Sequence, residues 1–208
     1  MIDTKDKILD AAERLFGEEG YAATSLRQII AQAGVNLAAI HYHFGTKEEL
    51  LDQLISRRAD PVNRMRLDRL ERAEAEAAGT PVAIEKILDA FLRPAAEMSV
   101  KYPGMPRVMG RLYAEGSLPE IIQRHFLPTG QRFAAALRRT LPDLPEDEFG
   151  WRMHFTLGAM AHALLGRRVF ESAADEGLEK RLTCLVAFVA AGFRAPAASR
   201  VSEIEVTR

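Results

Sequence analysis

Apolar residues recur along this chain at helical spacing. Ile8, Ala12, Leu15 and Phe16 fall on one face of a helix expected from about Thr4 to Glu18, which Gly20 closes. Leu26, Ile29, Ile30 and Ala33 repeat at i, i+3, i+4 and i+7, one stripe on a helix of about two turns. Thr24 or Ser25 can cap it, with Gln28 completing an S-x-x-Q box on Ser25, and Gly34 is the residue type that ends a helix left-handed. Asn36 is a good cap for a further short helix, in which Val35, Ile40 and Phe44 are spaced to face inward while Leu37, Ala38, His41 and Tyr42 point away. Gly45 ends that helix and Thr46-x-x-Glu49 is a capping box for the next. Lys47 opposes the dipole of that helix start, so its role lies outside local helix stabilisation.

The pattern stays helical beyond residue 50, with no alternating β-branched run long enough for a strand and no internal repeat. Leu50, Leu51, Leu54 and Ile55 continue the third helix to Arg58, and Asp60-Pro61 is expected to kink or break it, because a residue before proline avoids the helical region. Val62, Met65, Leu70 and Ala73 carry the stripe on toward Ala78. Gly79-Thr80-Pro81 is read as a new helix start with Ile84, Ile87, Leu88, Phe91 and Leu92 inside it and a bend at Arg93-Pro94. Tyr102 to Pro106 reads as a loop, followed by a short helix from Arg107 to Glu115. Another helix capped by Ser117-x-x-Glu120 runs, bent by Pro128, to Thr140, and Pro142 to Pro145 breaks it. Helices from Glu146 to Phe170 and from Leu178 to Phe193 close the pattern, the first rich in Gly158, Ala159, Ala161, Ala163 and Gly166, the second apolar over more than one face. Ala195 to Arg208 reads as a disordered tail.

Length and composition narrow the class. A chain of 208 residues with 48% hydrophobic content can form one large or two small domains with a real core. It has no run of eighteen or more apolar residues and no signal-peptide pattern, and its single cysteine, Cys184, excludes an internal disulfide, so a cytoplasmic location is expected. A net charge of −1 argues against a generic nucleic-acid binder. Any such function must concentrate its cations locally, and Lys5, Arg27 and Lys47 are placed to do so.

Two short helices joined at a glycine turn and followed at once by a capped third helix make a DNA-reading unit. The stretch TSLRQIIAQAGVNLAAIHYHFGTKEEL, residues 24 to 50, with its A-G-V turn, seven-residue reader helix and H-F-G-x-K-E-E-L run, resembles the helix-turn-helix of the TetR family of bacterial repressors. It departs from that family at His41, where a tyrosine is usual, and at Ile30, where a small residue is usual. The resemblance implies an all-α fold of about nine helices. It divides the chain into a DNA-binding domain over 1–48, a ligand-binding and dimerisation domain over 49–194, and the tail 195–208. Asn36, Leu37, Ala38 and Ala39 are expected at base edges, and Ser25, Arg27, His41, Tyr42, His43 and Lys47 on the backbone. The resemblance also places a homodimer interface on the last two helices, on Gly158, His162, Leu165, Leu185, Phe188 and Val189.

The middle helices suggest a mostly apolar ligand cavity. Phe91, Met98, Met109, Tyr113, Phe126, Phe133, Trp151 and Phe155 supply the apolar wall, with Tyr113, His125 and His154 as polar points, and methionine adapts to irregular space. Singly each reads as a core residue. The stretch WRMHFTLGAMA resembles the corresponding helix of family members that respond to fatty acids or their acyl thioesters. No metal and no cofactor are expected: none of the five histidines has a glutamate three positions before it, and no G-x-S-x-G, P-loop or dinucleotide pattern occurs. The expectation is therefore a non-enzymatic, homodimeric repressor of a palindromic operator, released by a small apolar effector, with a helical small-molecule or lipid-binding protein that has lost DNA binding as the alternative.

Overall fold

The computed structural model describes residues 3–115, 120–165 and 177–197. Among them every regular element is helical: α1 (Thr4–Glu18), α2 (Leu26–Ala33), α3 (Leu37–His43), α4 (Lys47–Glu76), α5 (Ile84–Lys101), α6 (Gly104–Ala114), α7 (Glu120–Thr140), α8 (Glu146–Leu165) and α9 (Gly177–Arg194). The chain packs as two compact units, Met1–Arg64 with Met98–Pro128, and Met65–Glu97 with Thr129–Arg208. The all-α expectation holds, helices one to three agree closely, and the later boundaries shift.

In the first unit the inward stripes meet as read. Ile8, Ala12, Leu15 and Phe16 of α1 bury against Ile29, Ile40, Phe44 and the α4 residues Leu50, Leu51, Leu54 and Ile55. Fully burying side chains of this size contributes about 1.5–3 kcal/mol each in transfer free energy. Val108 and Leu112 of α6 complete this core, so a helix distant in sequence packs with the first four. α6 begins at Gly104, inside the segment read as a loop, and carries Pro106 in its first turn, where its missing N–H has no helical partner to lose.

α4 runs unbroken through Pro61. An interior proline costs a helix about 3 kcal/mol. Burial of Ala59, Val62, Asn63 and Arg66 on either side of it offsets that, and the Asn63 amide donates to the His125 carbonyl at 2.7 Å. Likewise Pro94 and Pro128 lie inside α5 and α7. α5 starts at Ile84, three residues after the proline expected to open it, because Gly79 (φ +87°) and Ala78 (φ +48°) finish a tight turn first. The expected Ser117 cap, the stretch from Gly166 to Phe170 and the tail from residue 198 lie outside the described residues.

The second unit is built on Leu70, Ile87, Leu88, Phe91, Leu92, Phe133, Leu137, Phe149, Leu182, Val186, Val189 and Phe193. The buried Arg66 guanidinium lies 4.1 Å from the Phe91 ring and donates to the Phe91 carbonyl at 2.8 Å, and burial lowers its pKa to about 10. Arg152 donates at 2.9 Å to the carbonyls of Gly192, Phe193 and Ala195 and at 3.1 Å to that of Pro196. It thereby satisfies the open carbonyls at the end of α9 with a cation, the favourable sign for that dipole end. Ala195 to Ala197, read as the start of a disordered tail, are consequently tethered, with Ala197 buried.

Candidate nucleic-acid interface

Three successive helix starts shape this site, each locked by its own side chains. Of the two candidates for capping α2, Ser25 does so: its hydroxyl accepts from the Gln28 N–H while the Gln28 amide oxygen accepts from the Ser25 N–H at 2.7 Å. Thr24 instead donates to the Gly20 carbonyl at 2.7 Å and ties the turn before it. The Asn36 Oδ1 accepts from Ala39 N–H at 2.9 Å, and Thr46 and Glu49 exchange bonds of 2.9 and 3.1 Å. Gly34 (φ +65°) and Gly45 (φ +74°) occupy the left-handed positions between them, and a Cβ on Gly45 would meet the Glu49 carboxylate at 2.4 Å. So α3 is held at both ends while the buried Ile40 and Phe44 anchor it below.

What remains outside is aromatic and basic. Tyr42 is 85% exposed at the last turn of α3, and His41 is exposed beside it. The half-buried His43 ring stands edge-on to Tyr42 at 5.0 Å and 6.1 Å from Phe44. Ala38, Arg27, Ser25 and Asn36 are exposed as expected. Ala39 is a correction: it is half-buried against the core, because α3 is short and its inner face takes in the residue next to Ile40. Ser25 and Asn36 also commit their side-chain oxygens to capping. The side chain of Leu37 lies outside what is described.

Lys47 has a partner that sequence reading missed. Its ammonium lies 4.2 Å from the Tyr21 ring centroid, half-buried, and desolvation lowers its pKa. The Tyr21 hydroxyl donates to Glu48 at 3.2 Å, and burial, reinforced by the Glu48 charge, raises the phenol to about 12. Glu48 is in turn held below the usual carboxylate range, first by its backbone hydrogen bond and then by Tyr21. Lys5 sits 5.9 Å from the Phe44 ring.

Also unforeseen is how α4 and α6 together grip α1. The Arg58 guanidinium is sandwiched between Glu13, with bonds of 2.7 and 2.9 Å, and the Tyr102 ring at 3.6 Å. Arg111 donates to the Glu18 carbonyl at 2.8 Å. Gly104 allows this approach, since a Cβ there would stand 2.9 Å from Glu13 Oε1. Glu13 is a buried carboxylate on α1, and such a group demands a cation.

The residues expected to line a ligand cavity fall in both units. Phe91 packs on Phe133 at 5.1 Å inside the second core, whereas Met109 and Phe126 pack against the first. Met98 is half-buried and Tyr113 is exposed. His125 bonds Asp52 at 3.0 Å. Trp151 (61% exposed) and Phe155 (64%) stack at 5.8 Å on the surface of α8, with His154 against both ring edges. These three form an exposed ledge, because i, i+3 and i+4 share one helix face and that face is turned from the core. Gly158 and His162 continue the exposed stripe, and Phe188 is 71% exposed on α9. Val189, expected at the interface, is instead core, and Leu185 is half-buried against it. The Leu165 side chain lies outside what is described.

The family model for the tetracyclin repressor-like C-terminal domain matches residues 89–192, half of the chain. The model for bacterial regulatory proteins of the tetR family matches residues 8–54. The chain belongs to the TetR family. Its relatives include the probable HTH-type regulator YttP of Bacillus subtilis, 44% identical over 26% of this chain and 27% of that protein. The regulator LmrA of the same organism is 33% identical over 56% of this chain and 58% of its own length. The matches thus span about a quarter and a little over half of these relatives. An HTH-type transcriptional repressor of Mycobacterium tuberculosis is 29% identical over 70% of each chain. Among solved structures, a regulator from Aquifex aeolicus aligns with a TM-score of 0.56 at 22% identity over 92% of this chain and 98% of its own. A putative tetR family regulator from Shewanella sp. PV-4 aligns at 0.63 and 16% identity over 91% and 97%. These likenesses show the fold. TetR-family proteins are transcriptional regulators rather than enzymes, and among the described residues no helix is long and apolar enough to cross a membrane.

Proposed function

We infer that this TetR-family protein is a homodimeric transcriptional repressor that binds an inverted-repeat operator and is released by a small, mostly apolar effector. Each protomer lays α3 in a major groove, and two-fold symmetry sets the half-sites about one or more helical turns apart. Ala38 and Leu37 meet base edges, where short apolar groups suit thymine methyls, and Asn36 presents its amide there. Tyr42, His41, His43, Arg27, Ser25 and Lys47 contact the phosphate backbone and set register. So few cations per protomer demand two copies. The exposed ledge of α8 with Phe188 of α9 meets its counterpart in the second copy, since apolar patches of this kind mark association sites.

The observation that carries this reading is Tyr42. A large aromatic left 85% exposed, on a helix capped at its start and anchored beneath by two buried side chains, is placed for a partner outside the fold. Effector release requires a coupling free energy of about 1–3 kcal/mol between sites. The 30-residue α4 supplies a continuous element, since its first turn supports the reader and its last turns belong to the second unit. The alternative of a small-molecule or lipid carrier without DNA binding has no observation in its favour.

A gel-shift titration of the purified protein against its own promoter region, at several salt concentrations, tests this. Tyr42→Ala and Lys47→Ala should each weaken binding several-fold, and Lys47→Ala should flatten the salt dependence. Unchanged affinity and unchanged salt slope in both would refute the reading.

A further inference from the structure

The second unit carries an open groove of about 710 Å³ between the end of α4, the start of α5 and α9. Its floor is apolar, made by Ala73, Ala90, Val186, Ala187 and Ala191. Along α9 it extends from Thr183 to Arg194, roughly 17 Å at 1.5 Å per residue. Its rim is charged and unevenly so: Arg69, Arg72, Lys86 and Arg194 face Glu76, Glu85 and Asp89. The three carboxylates are all taken, Glu76 by Lys86 at 2.8 Å, Glu85 by Arg194 at 2.5 Å, and Asp89 by Arg93 at 2.8 Å. Arg69 pairs with Glu97 at 3.2 Å. Arg72 is the rim cation that makes no ion pair among the described residues.

The geometry points to a binding site for a monoanionic amphiphile, its carboxylate on Arg72 and its alkyl chain along the alanine and valine floor. The surplus of one positive charge on the rim matches one carboxylate, and a guanidinium presents paired donors suited to its two oxygens. A neutral alcohol with the same chain satisfies the floor and leaves Arg72 without a counter-charge. A cationic head meets the surplus charge as repulsion. The floor alanines, having no side chain beyond Cβ, leave room for a chain to lie against the helices. This deepens the effector half of the proposed function and rests on that reading for its consequence alone, since the groove is argued from its own residues.

The test is calorimetric titration of the full chain with dodecanoate, dodecan-1-ol, dodecyl phosphate and dodecyltrimethylammonium, each below its micelle threshold. Dodecanoate should bind at least tenfold more tightly than the alcohol and the phosphate, with the ammonium compound weakest. Arg72→Gln should reduce dodecanoate affinity at least tenfold and leave the alcohol unchanged, Arg72→Lys should retain most of it, and Ala187→Glu, at an exposed floor position, should weaken both. Equal binding of dodecanoate and dodecan-1-ol, or dodecanoate affinity unaffected by Arg72→Gln and Ala187→Glu, overturns the site. A gel shift separates the two readings. Operator release by dodecanoate that survives both variants removes the groove and keeps the effector mechanism. Binding that depends on Arg72 without any change in operator retention keeps the groove and removes its regulatory role.

Discussion

The α2–α3 reader and the α8–α9 pair leave aromatic side chains in solvent for different reasons. In the reader, apolar content and burial match: Ile29, Ile40 and Phe44 are inside, and the one large aromatic side chain left outside is the amphipathic Tyr42, among small and polar residues. In α8 and α9 they do not match. Leu182, Val186, Val189 and Phe193 fill the core, yet Trp151, Phe155, Leu157 and Phe188 remain exposed. A polar-rimmed aromatic suits a wet, charged surface such as a phosphate backbone, whereas a surplus of purely apolar side chains suits a dry one. A mismatch between apolarity and burial is a better sign of a protein partner than exposure alone.

That contrast can be broken at four points. The largest effect is expected from Phe155→Glu combined with Phe188→Glu. If the α8–α9 face meets a second copy, this pair should convert dimer to monomer in sedimentation velocity and remove on the order of 4 kcal/mol of operator affinity. Far-ultraviolet circular dichroism should retain its helical signal, because neither side chain is in the protomer core. A dimer that persists through both changes contradicts the assignment.

Ile40→Ala comes next. Ile40 is fully buried beneath α3, and truncation at such a site costs about 2–5 kcal/mol, read as a lower midpoint in urea or thermal unfolding. Unlike the Phe155 and Phe188 changes it acts on the fold itself. A loss below about 0.5 kcal/mol would mean that the reader has a looser core than its burial indicates.

Smaller is the cap. Asn36→Ala removes the bond to the Ala39 N–H and should cost about 1 kcal/mol of stability, with Asn36→Asp retaining most of it. Should the aspartate variant bind operator much more weakly at equal stability, position 36 lies against DNA in addition to capping, because the added negative charge repels phosphate.

The finest probe is Tyr21, whose phenol is raised to about 12. The fold favours its neutral form, so the stability contributed by this group is fully present below pH 10 and is lost as pH rises from there through about 12. An ultraviolet titration should show one of the four tyrosines ionising last, and Tyr21→Phe should remove that step. Simultaneous ionisation of all four would show that the Lys47, Tyr21 and Glu48 cluster does not persist in solution.

Local code was enough for the reader and for helix identity. The Ser25 and Gln28 box, the Asn36 cap, Gly34, Gly45 and the Thr46 and Glu49 box all act within a few residues, so their spacing is their structure. Periodicity likewise separated most inward from outward side chains in α1, α2 and α3, Glu13 and Ala39 excepted, because a helix face is set by backbone geometry. Proline did not break α4 at Pro61, where burial on both sides offsets a local cost of about 3 kcal/mol, and Pro106, read as part of a loop, falls in the first turn of a helix. Only the tertiary structure decided which distant helices share a core: that α6 grips α1 through Arg111 and Gly104 while Arg58 of α4 holds Glu13, that Val189 lies inside while Phe188 lies outside, and that Arg152 tethers the residues after α9. Those outcomes depend on contacts between residues tens of positions apart, whose burial is a property of the whole packing and is not written in the spacing of any one segment.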